Sequence, residues 1–327
     1  MKASIRLIFL ALILSFGCEL DELFQLDACA CELDENYDTT SQYITENVVI
    51  VVIDGVRYSE SGADDTGFYC PNIYGDLADN GVVLSNFYNN GLTKTVSGHT
   101  NLLTGKEEVL NNAGLDYPQC PSILQLWLKQ TQSPPTKAWI VSGKHKLEVL
   151  SDCATLDWRT TFNPSMDAGV DGLGEDLRQD SETHARALEV LDEYRPNILV
   201  VLYPGPDVYA HANDWDAYVS AIQACDGYVQ ELWEYIESDE HYAGKTSLFV
   251  TNDHGRHNQG IKDGFISHGD NCEGCRHVNM VSYGPDFKNG AVLQEQYSMI
   301  DFAPTVAELM NINVKNCDGN VIYGLFE

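Results

Sequence analysis

Cationic side chains are scarce in this chain. Its 327 residues hold 19 Lys and Arg against 49 Asp and Glu, a formal net charge of −30. A field of that sign repels a polyanion, so nucleic acid is excluded as a main partner. Anionic small molecules are repelled at long range too, and salt screens that repulsion within roughly 10 Å, which makes a saline exterior a consistent setting. Long apolar runs are also rare. Beyond residue 17 nothing approaches the roughly 20 apolar residues of a membrane helix, which excludes a polytopic helical membrane protein. Internal repeats and low-complexity zones are missing as well, and the length suits one domain with a large core.

The single apolar stretch runs from Ile5 to Gly17, with Lys2 before it and Arg6 within it. It is too short to span comfortably and has the charged start and small final residue of an export signal. Cys18 follows at once, so lipid attachment to Cys18 after cleavage is expected, with simple secretion as the alternative. Residues 1–17 are read as a signal peptide, 18–45 as an acidic tether and 46–327 as the catalytic domain. The expected location is periplasmic, cell-surface or secreted, with membrane contact only through the lipid. Ten cysteines in an exported chain argue for disulfides. Cys29-Ala-Cys31 and Cys272-Glu-Gly-Cys275 are each expected to form them, with a metal clip as the alternative; the pairing stays open.

What the chain has is a set of acids and histidines just beyond buried strands. Asn47-Val-Val-Ile-Val-Val-Ile-Asp54 is a continuous β-branched run of the kind covered on both faces. A carboxylate at its C-terminal end sits where open α/β sheets bind ligands. The same layout recurs in Ile198–Tyr203 leading to Asp207 and in the run ending at Asn252 before Asp253-His254. One Asp after a strand is more often a turn or a cap. Three such ends, two with a His, point to one shared site.

Asp207-Val-Tyr-Ala-His211 puts a carboxylate and an imidazole on one helical face, which suits mixed oxygen and nitrogen coordination of a zinc-like ion. Asp253 and His254 converge only if the backbone turns sharply, a freedom assigned to Gly255. His268-Gly-Asp-Asn271 adds a third His. The hydroxyl-rich segment Thr93-Lys-Thr95-Val-Ser97 runs into a short helix ending at Gly105, and a hydroxyl at such a start meets free N–H groups that favour a phosphoryl group.

Asp54, Thr95, Asp207-x-x-x-His211, Asp253-His254 and His268-Gly together resemble the alkaline phosphatase superfamily, most closely its nucleotide pyrophosphatase/phosphodiesterase-like branch. The resemblance runs from about Asn47 to Phe326. It implies a three-layer α/β/α sandwich around a mostly parallel sheet. It also implies two divalent metal ions, zinc in the expected case, one held by Asp207, His211 and His268 and the other by Asp54, Asp253, His254 and Thr95. Thr95 would then attack a small phosphoester and pass through a phosphothreonine, with the paired cations about 4 Å apart. Monoesters are expected ahead of diesters; a metal-containing binding lipoprotein without turnover is the rival from another class.

Three further groups are expected at the substrate. Lys144 and Lys146 lie beyond a strand end, where some related monoesterases have Ser-x-Lys-Asp-Arg; His145 and Lys146 replace the Asp and Arg, and a Lys lacks the planar two-pronged contact of Arg. Asn111 or Asn112 would complete the phosphoryl contacts. Sulfatases are set aside because Thr95-Val-Ser-Gly-His99 lacks the C/S-x-P-x-R signature. Cofactor-independent phosphoglycerate mutases are set aside because they use Ser and insert a second domain.

Periodicity predicts helices over 120–130, 181–194, 215–236 and 301–310, and strands over 47–53, 82–87, 138–141, 198–202, 247–250 and 278–282. The pocket is expected to be open and walled by 54–70 and 147–174, with Trp158 and Phe162 packed rather than stacking on a leaving group.

Overall fold

A strand can be apolar on both faces only where both are covered. Asn47–Ile53 meets that condition, because Val48, Ile50 and Val52 join one core cluster while Val49, Val51 and Ile53 join another. The computed structural model describes residues 31–34, 42–169 and 177–327. The signal stretch, Cys18, Cys29 and the end of the expected wall 147–174 lie outside the described residues.

Numbered along the chain, the strands are β1 (Glu32–Leu33), β2 (Asn47–Ile53), β3 (Val82–Tyr88), β4 (Ala138–Ser142), β5 (Ser165–Ala168), β6 (Ile198–Tyr203), β7 (Thr246–Thr251), β8 (His277–Tyr283), β9 (Ala291–Leu293), β10 (Tyr297–Ser298) and β11 (Val314–Lys315). The helices are α1 (Thr95–Thr104), α2 (Ile123–Thr131), α3 (Asp180–Tyr194), α4 (Gly205–His211), α5 (Trp215–Ser238), α6 (Glu273–Arg276) and α7 (Phe302–Leu309).

The main sheet is nine-stranded, in the order β10-β3-β8-β7-β2-β6-β4-β5 with β9 beside β3. Strand β8 runs antiparallel to both neighbours, and the other pairings are parallel. Residues of α1, α2 and α7 cover one face and residues of α3 and α5 the other, which makes the three-layer sandwich. At the centre β7, β2, β6 and β4 lie side by side and parallel. Their C-terminal ends therefore deliver Asp253-His254, Asp54, Asp207 and Lys144 to one edge.

The structure differs from the sequence reading at several points. Helix α2 starts at Ile123, not at 120, because Ser122 and Gln125 form a capping box. Helix α7 starts at Phe302 after a single turn over Met299–Asp301. Strand β5 was not expected: it is half-buried at the sheet edge and carries no apolar pattern. Cys31 forms a disulfide, as expected, and its partner is Cys317, so β1 is fixed to β11 and residues 31–34 of the expected tether pack on the domain. Cys272 and Cys275 are not joined to each other.

Candidate metal centre

Two groups of donor atoms converge at the edge of the sheet. In the first, Asp207 Oδ1 lies 3.3 Å from His211 Nε2 and 3.4 Å from His268 Nε2, and the two imidazole nitrogens are 3.1 Å apart. Ligands about 2.0–2.1 Å from a tetrahedral zinc stand about 3.3–3.4 Å from one another, so these spacings match a coordination face. Asp207 and His211 reach it from one turn of α4. His268 Nδ1 donates to the Thr93 carbonyl at 2.8 Å, which leaves Nε2 as the lone-pair nitrogen. Burial, then the neighbouring His254, pushes His268 down to about 2, so it stays neutral and able to ligate.

In the second group His254 Nε2 lies 3.6 Å from Asp54 Oδ1 and 3.3 Å from Asp253 Oδ2. All three atoms are buried, and none has a hydrogen-bond partner among the described residues. His254 Nδ1 donates to the Gly255 carbonyl at 3.0 Å, so its Nε2 also offers a lone pair. Three buried electron-pair donors facing one another are costly unless a cation lies between them. Burial, then the Asp253 charge, raises the Asp54 carboxyl, a shift that a divalent ion would reverse. The Asp253 carboxyl goes the other way: burial opposes it, but His254 and His99 hold it low. The residues present therefore fit two cations.

Gly55 and Gly98 let these groups approach. Gly55 has φ +68°, and a Cβ there would lie 2.7 Å from Arg256 Nη1 and 3.0 Å from Asp207 Oδ1. A Cβ on Gly98 would lie 2.5 Å from the Asp253 carbonyl, so the missing side chain seats α1 on the end of β7. Gly255 plays a different part from the one expected. It is absent from the positive-φ residues, and what it provides is clearance, since a Cβ would lie 2.1 Å from the Gly274 carbonyl.

Thr95, buried, opens α1. It lines a cleft of about 520 Å³ together with Asn112, Lys144, Lys146, Asp207, His211 and His268. The Thr93 hydroxyl is engaged elsewhere, donating to the Asp270 carbonyl at 2.8 Å. Asn112 Oδ1 accepts the Val96 N–H at 3.0 Å. Asn111 is exposed and absent from the cleft lining; its Oδ1 accepts the Ala113 N–H within its own turn. Lys146 reaches the cleft, and burial, then the Lys144 charge, pushes it down to about 8. Lys144 instead ties two carboxylates together, with Nζ 2.8 Å from Asp54 Oδ2 and 2.6 Å from Asp207 Oδ2. Burial works against that charge, but Asp207 and Asp54 raise Lys144 overall. The expected walls are not those found: Ala113, His145, Leu177 and Val208 line the cleft, and 54–70 does not. Trp158 and Phe162 pack against the core, with Lys129 Nζ 4.1 Å from the Trp158 ring centroid.

Sequence reasoning missed Arg256. It is wholly buried and donates from Nη1 to Asp207 Oδ1 and from Nη2 to the Ile266 carbonyl at 2.7 Å. Burial alone would raise Asp207, but Lys144, then His211 and Arg256, hold it well below the usual carboxylate range. Arg256 Nη2 is also 3.2 Å from His211 Nδ1. Ligation through His211 Nε2 requires a proton on Nδ1, so this half-exposed ring must turn slightly away from Arg256 when a cation arrives. The signal was an Arg directly after Asp-His-Gly in a cation-poor chain.

The sandwich with its site at the C-terminal edge of a mostly parallel sheet defines a metal-binding α/β enzyme class. The chain belongs to the metalloenzyme superfamily, whose family model matches residues 140–314. Solved structures agree on the fold. Murine ectonucleotide pyrophosphatase/phosphodiesterase 5 superposes with a TM-score of 0.61 at 15% identity, covering 86% of this chain and 100% of that one. A protein of the alkaline phosphatase superfamily from Vibrio parahaemolyticus gives 0.61 at 14% identity, over 88% of this chain and 72% of that one. A curated relative, the 2,3-bisphosphoglycerate-independent phosphoglycerate mutase of Haloquadratum walsbyi, is 29% identical over 133 residues. That match covers 40% of this chain, which spans about a quarter (25%) of the relative's length.

Proposed function

We propose that this chain is a two-metal phosphoester hydrolase working through a phosphothreonine on Thr95, with monoesters preferred over diesters. The observation that carries the reading is the pair of donor groups beside one cleft-lining hydroxyl at a helix start. Asp207, His211 and His268 would hold one divalent ion; Asp54, Asp253 and His254, with Thr95, would hold the other. Mixed oxygen and nitrogen donors suit zinc. Bound there, the pair would supply Lewis acidity toward the Thr95 hydroxyl and the leaving oxygen.

The chain's own groups bind and orient the phosphoryl group. Helix α1 presents its N-terminal end to the anion. Lys146, cationic below about pH 8, stands in the cleft to meet non-bridging oxygens. Lys144 orients Asp54 and Asp207, and it reaches substrate only by leaving one of them. The Thr95 Oγ–phosphorus bond forms as the bond from phosphorus to the leaving oxygen breaks, and the departing alcohol ends with the proton that Thr95 gives up. Water then cleaves the Thr95 ester and phosphate departs. Leu177 and Val208 give the cleft an apolar side that could take a second ester group, and this supports the diester reading as the alternative. Export, with a lipid on Cys18 as the sole membrane contact, completes the proposal and rests on the sequence.

The test is kcat/KM of the zinc-loaded chain on matched aryl phosphate mono- and diesters, with Thr95→Ala as the blank. Monoester turnover lost by orders of magnitude in Thr95→Ala supports the reading. Diester preference selects the alternative. No turnover with two metals bound favours a binding protein.

A further inference from the structure

The loop that carries His268 holds another set of donors that the proposed reaction does not use. His257, Asp270, Cys272 and Cys275 each offer one ligand atom, and the four atoms lie within 4.8 Å of one another. We propose that they form a separate structural zinc site, a Cys2HisAsp clip that fastens this loop to the end of β7.

The donor chemistry carries the proposal. Two thiols in a Cys-x-x-Cys turn, an imidazole and a carboxylate are a set that zinc takes in closed tetrahedral sites, whereas magnesium and calcium prefer oxygen alone. His257 is buried, and its Nδ1 lies 2.8 Å from Asp263 Oδ1, with Ser267 Oγ at 3.3 Å. A carboxylate on Nδ1 holds the proton there and turns Nε2 toward the cluster, an arrangement common behind metal-bound histidines. That Nε2 faces Asp270 Oδ2 at 3.1 Å. Cys272 Sγ accepts the Cys275 N–H at 3.4 Å, and Asp270 Oδ1 accepts the Cys272 N–H at 2.9 Å, so the backbone already shapes the turn. Lys262 also contacts Asp270 Oδ2, but this exposed side chain is free to swing into solvent.

The packing shows what a clip would secure. The Cys-x-x-Cys turn presses on the 254–258 segment so closely that a Cβ on Gly274 would lie 2.4 Å from the Arg256 carbonyl and 2.5 Å from Asn258 Oδ1. Asp270 is two residues from His268, and its carbonyl receives the Thr93 hydroxyl. A cation at these four ligands would join the segments carrying His254 and His268, with a modest contraction of the donor set.

The experiment uses the full chain, reduced, stripped of metal and titrated with cobalt(II). Sulfur-to-cobalt charge transfer in the near ultraviolet that disappears when Cys272 and Cys275 are replaced reports this cluster, because the site of the proposed reaction contains no sulfur ligand and the other thiols are kept in that variant. Three equivalents per chain with that band are expected, falling to two without it in Cys272→Ser/Cys275→Ser. Should that variant fail to fold, His257→Gln serves instead, with loss of the tight third equivalent as the expected result. Absence of the band in reduced wild-type chain, with both thiols still open to alkylation in the presence of cobalt, overturns the proposal and leaves a redox pair. Loss of the other two equivalents with the band retained would count against the hydrolase reading and leave the clip intact.

Discussion

Lys144 Nζ lies 2.6 Å from Asp207 Oδ2, and both side chains are buried. Its second partner, Asp54 Oδ2, belongs to the other proposed metal. One ammonium therefore links the two halves of the site.

Removing that link exposes like charges to each other. Lys144→Met is expected to destabilise the metal-free chain by about 3–5 kcal/mol, the usual penalty for a buried charge that loses its partner. Zinc should restore most of the loss, since a divalent ion neutralises the same carboxylates. Thermal melts of both forms with and without zinc check this; an equal loss in both conditions would show that Lys144 does not act through the carboxylates.

Arg256 contacts Asp207, His211 and two backbone carbonyls from one planar group. A lysine cannot reach all of them. Arg256→Lys should weaken metal binding at the Asp207 set by about 10–100-fold, read by competition with a chromophoric chelator. Unchanged affinity would rule out a role in orienting the ligands.

Two helical glycines make a matched pair. Gly98→Ala places a methyl 2.5 Å from the Asp253 carbonyl, whereas among the described residues nothing lies within 4 Å of the corresponding position at Gly227. Gly227→Ala should stabilise by up to about 1 kcal/mol through helix propensity. Gly98→Ala should destabilise by about 1–3 kcal/mol, because overpacking there outweighs that gain, and it should also slow turnover. Denaturant melts decide; two stabilised variants would refute the close seat of α1 on β7.

Asp180 supplies a pH test at a carboxyl that neither proposed metal group uses. Its carboxylate accepts the Gly205 N–H at 3.0 Å, and burial pushes it up to about 6 from an ordinary value of 3.8. A raised carboxyl holds its proton in the folded state, so its contribution to stability is full below about pH 4 and is lost as pH rises through 6. Asp180→Asn should therefore match the wild type near pH 4 and exceed it by about 1–2 kcal/mol at pH 7, a figure reduced for partial solvent access. A difference that stays flat with pH would contradict this.

Part of the site could be read from the chain because three of its acids follow apolar runs that can only be covered strands. Asp54, Asp207 and Asp253-His254 come from β2, β6 and β7, whose boundaries the β-branched residues set to within a residue. Lys144 was read as a substrate contact, and its carboxylate partners were hidden because β4 meets β6 only in the sheet order. Arg256 was missed for the same reason, as its partners stand on α4 and in the 265–266 turn.

Local pattern by itself determined the central strands, the long helices on their faces and the acids at their ends, since periodicity and burial are properties of short segments. Tertiary structure alone decided which ends became neighbours, that Asn112 and not Asn111 lines the cleft, that Cys31 joins Cys317, and that Cys272 and Cys275 face His257 and Asp270. Those choices depend on strand order and on the close approaches at Gly55, Gly98, Gly255 and Gly274, where a Cβ would lie 2.1–2.7 Å from its nearest neighbour, and no local sequence window contains them.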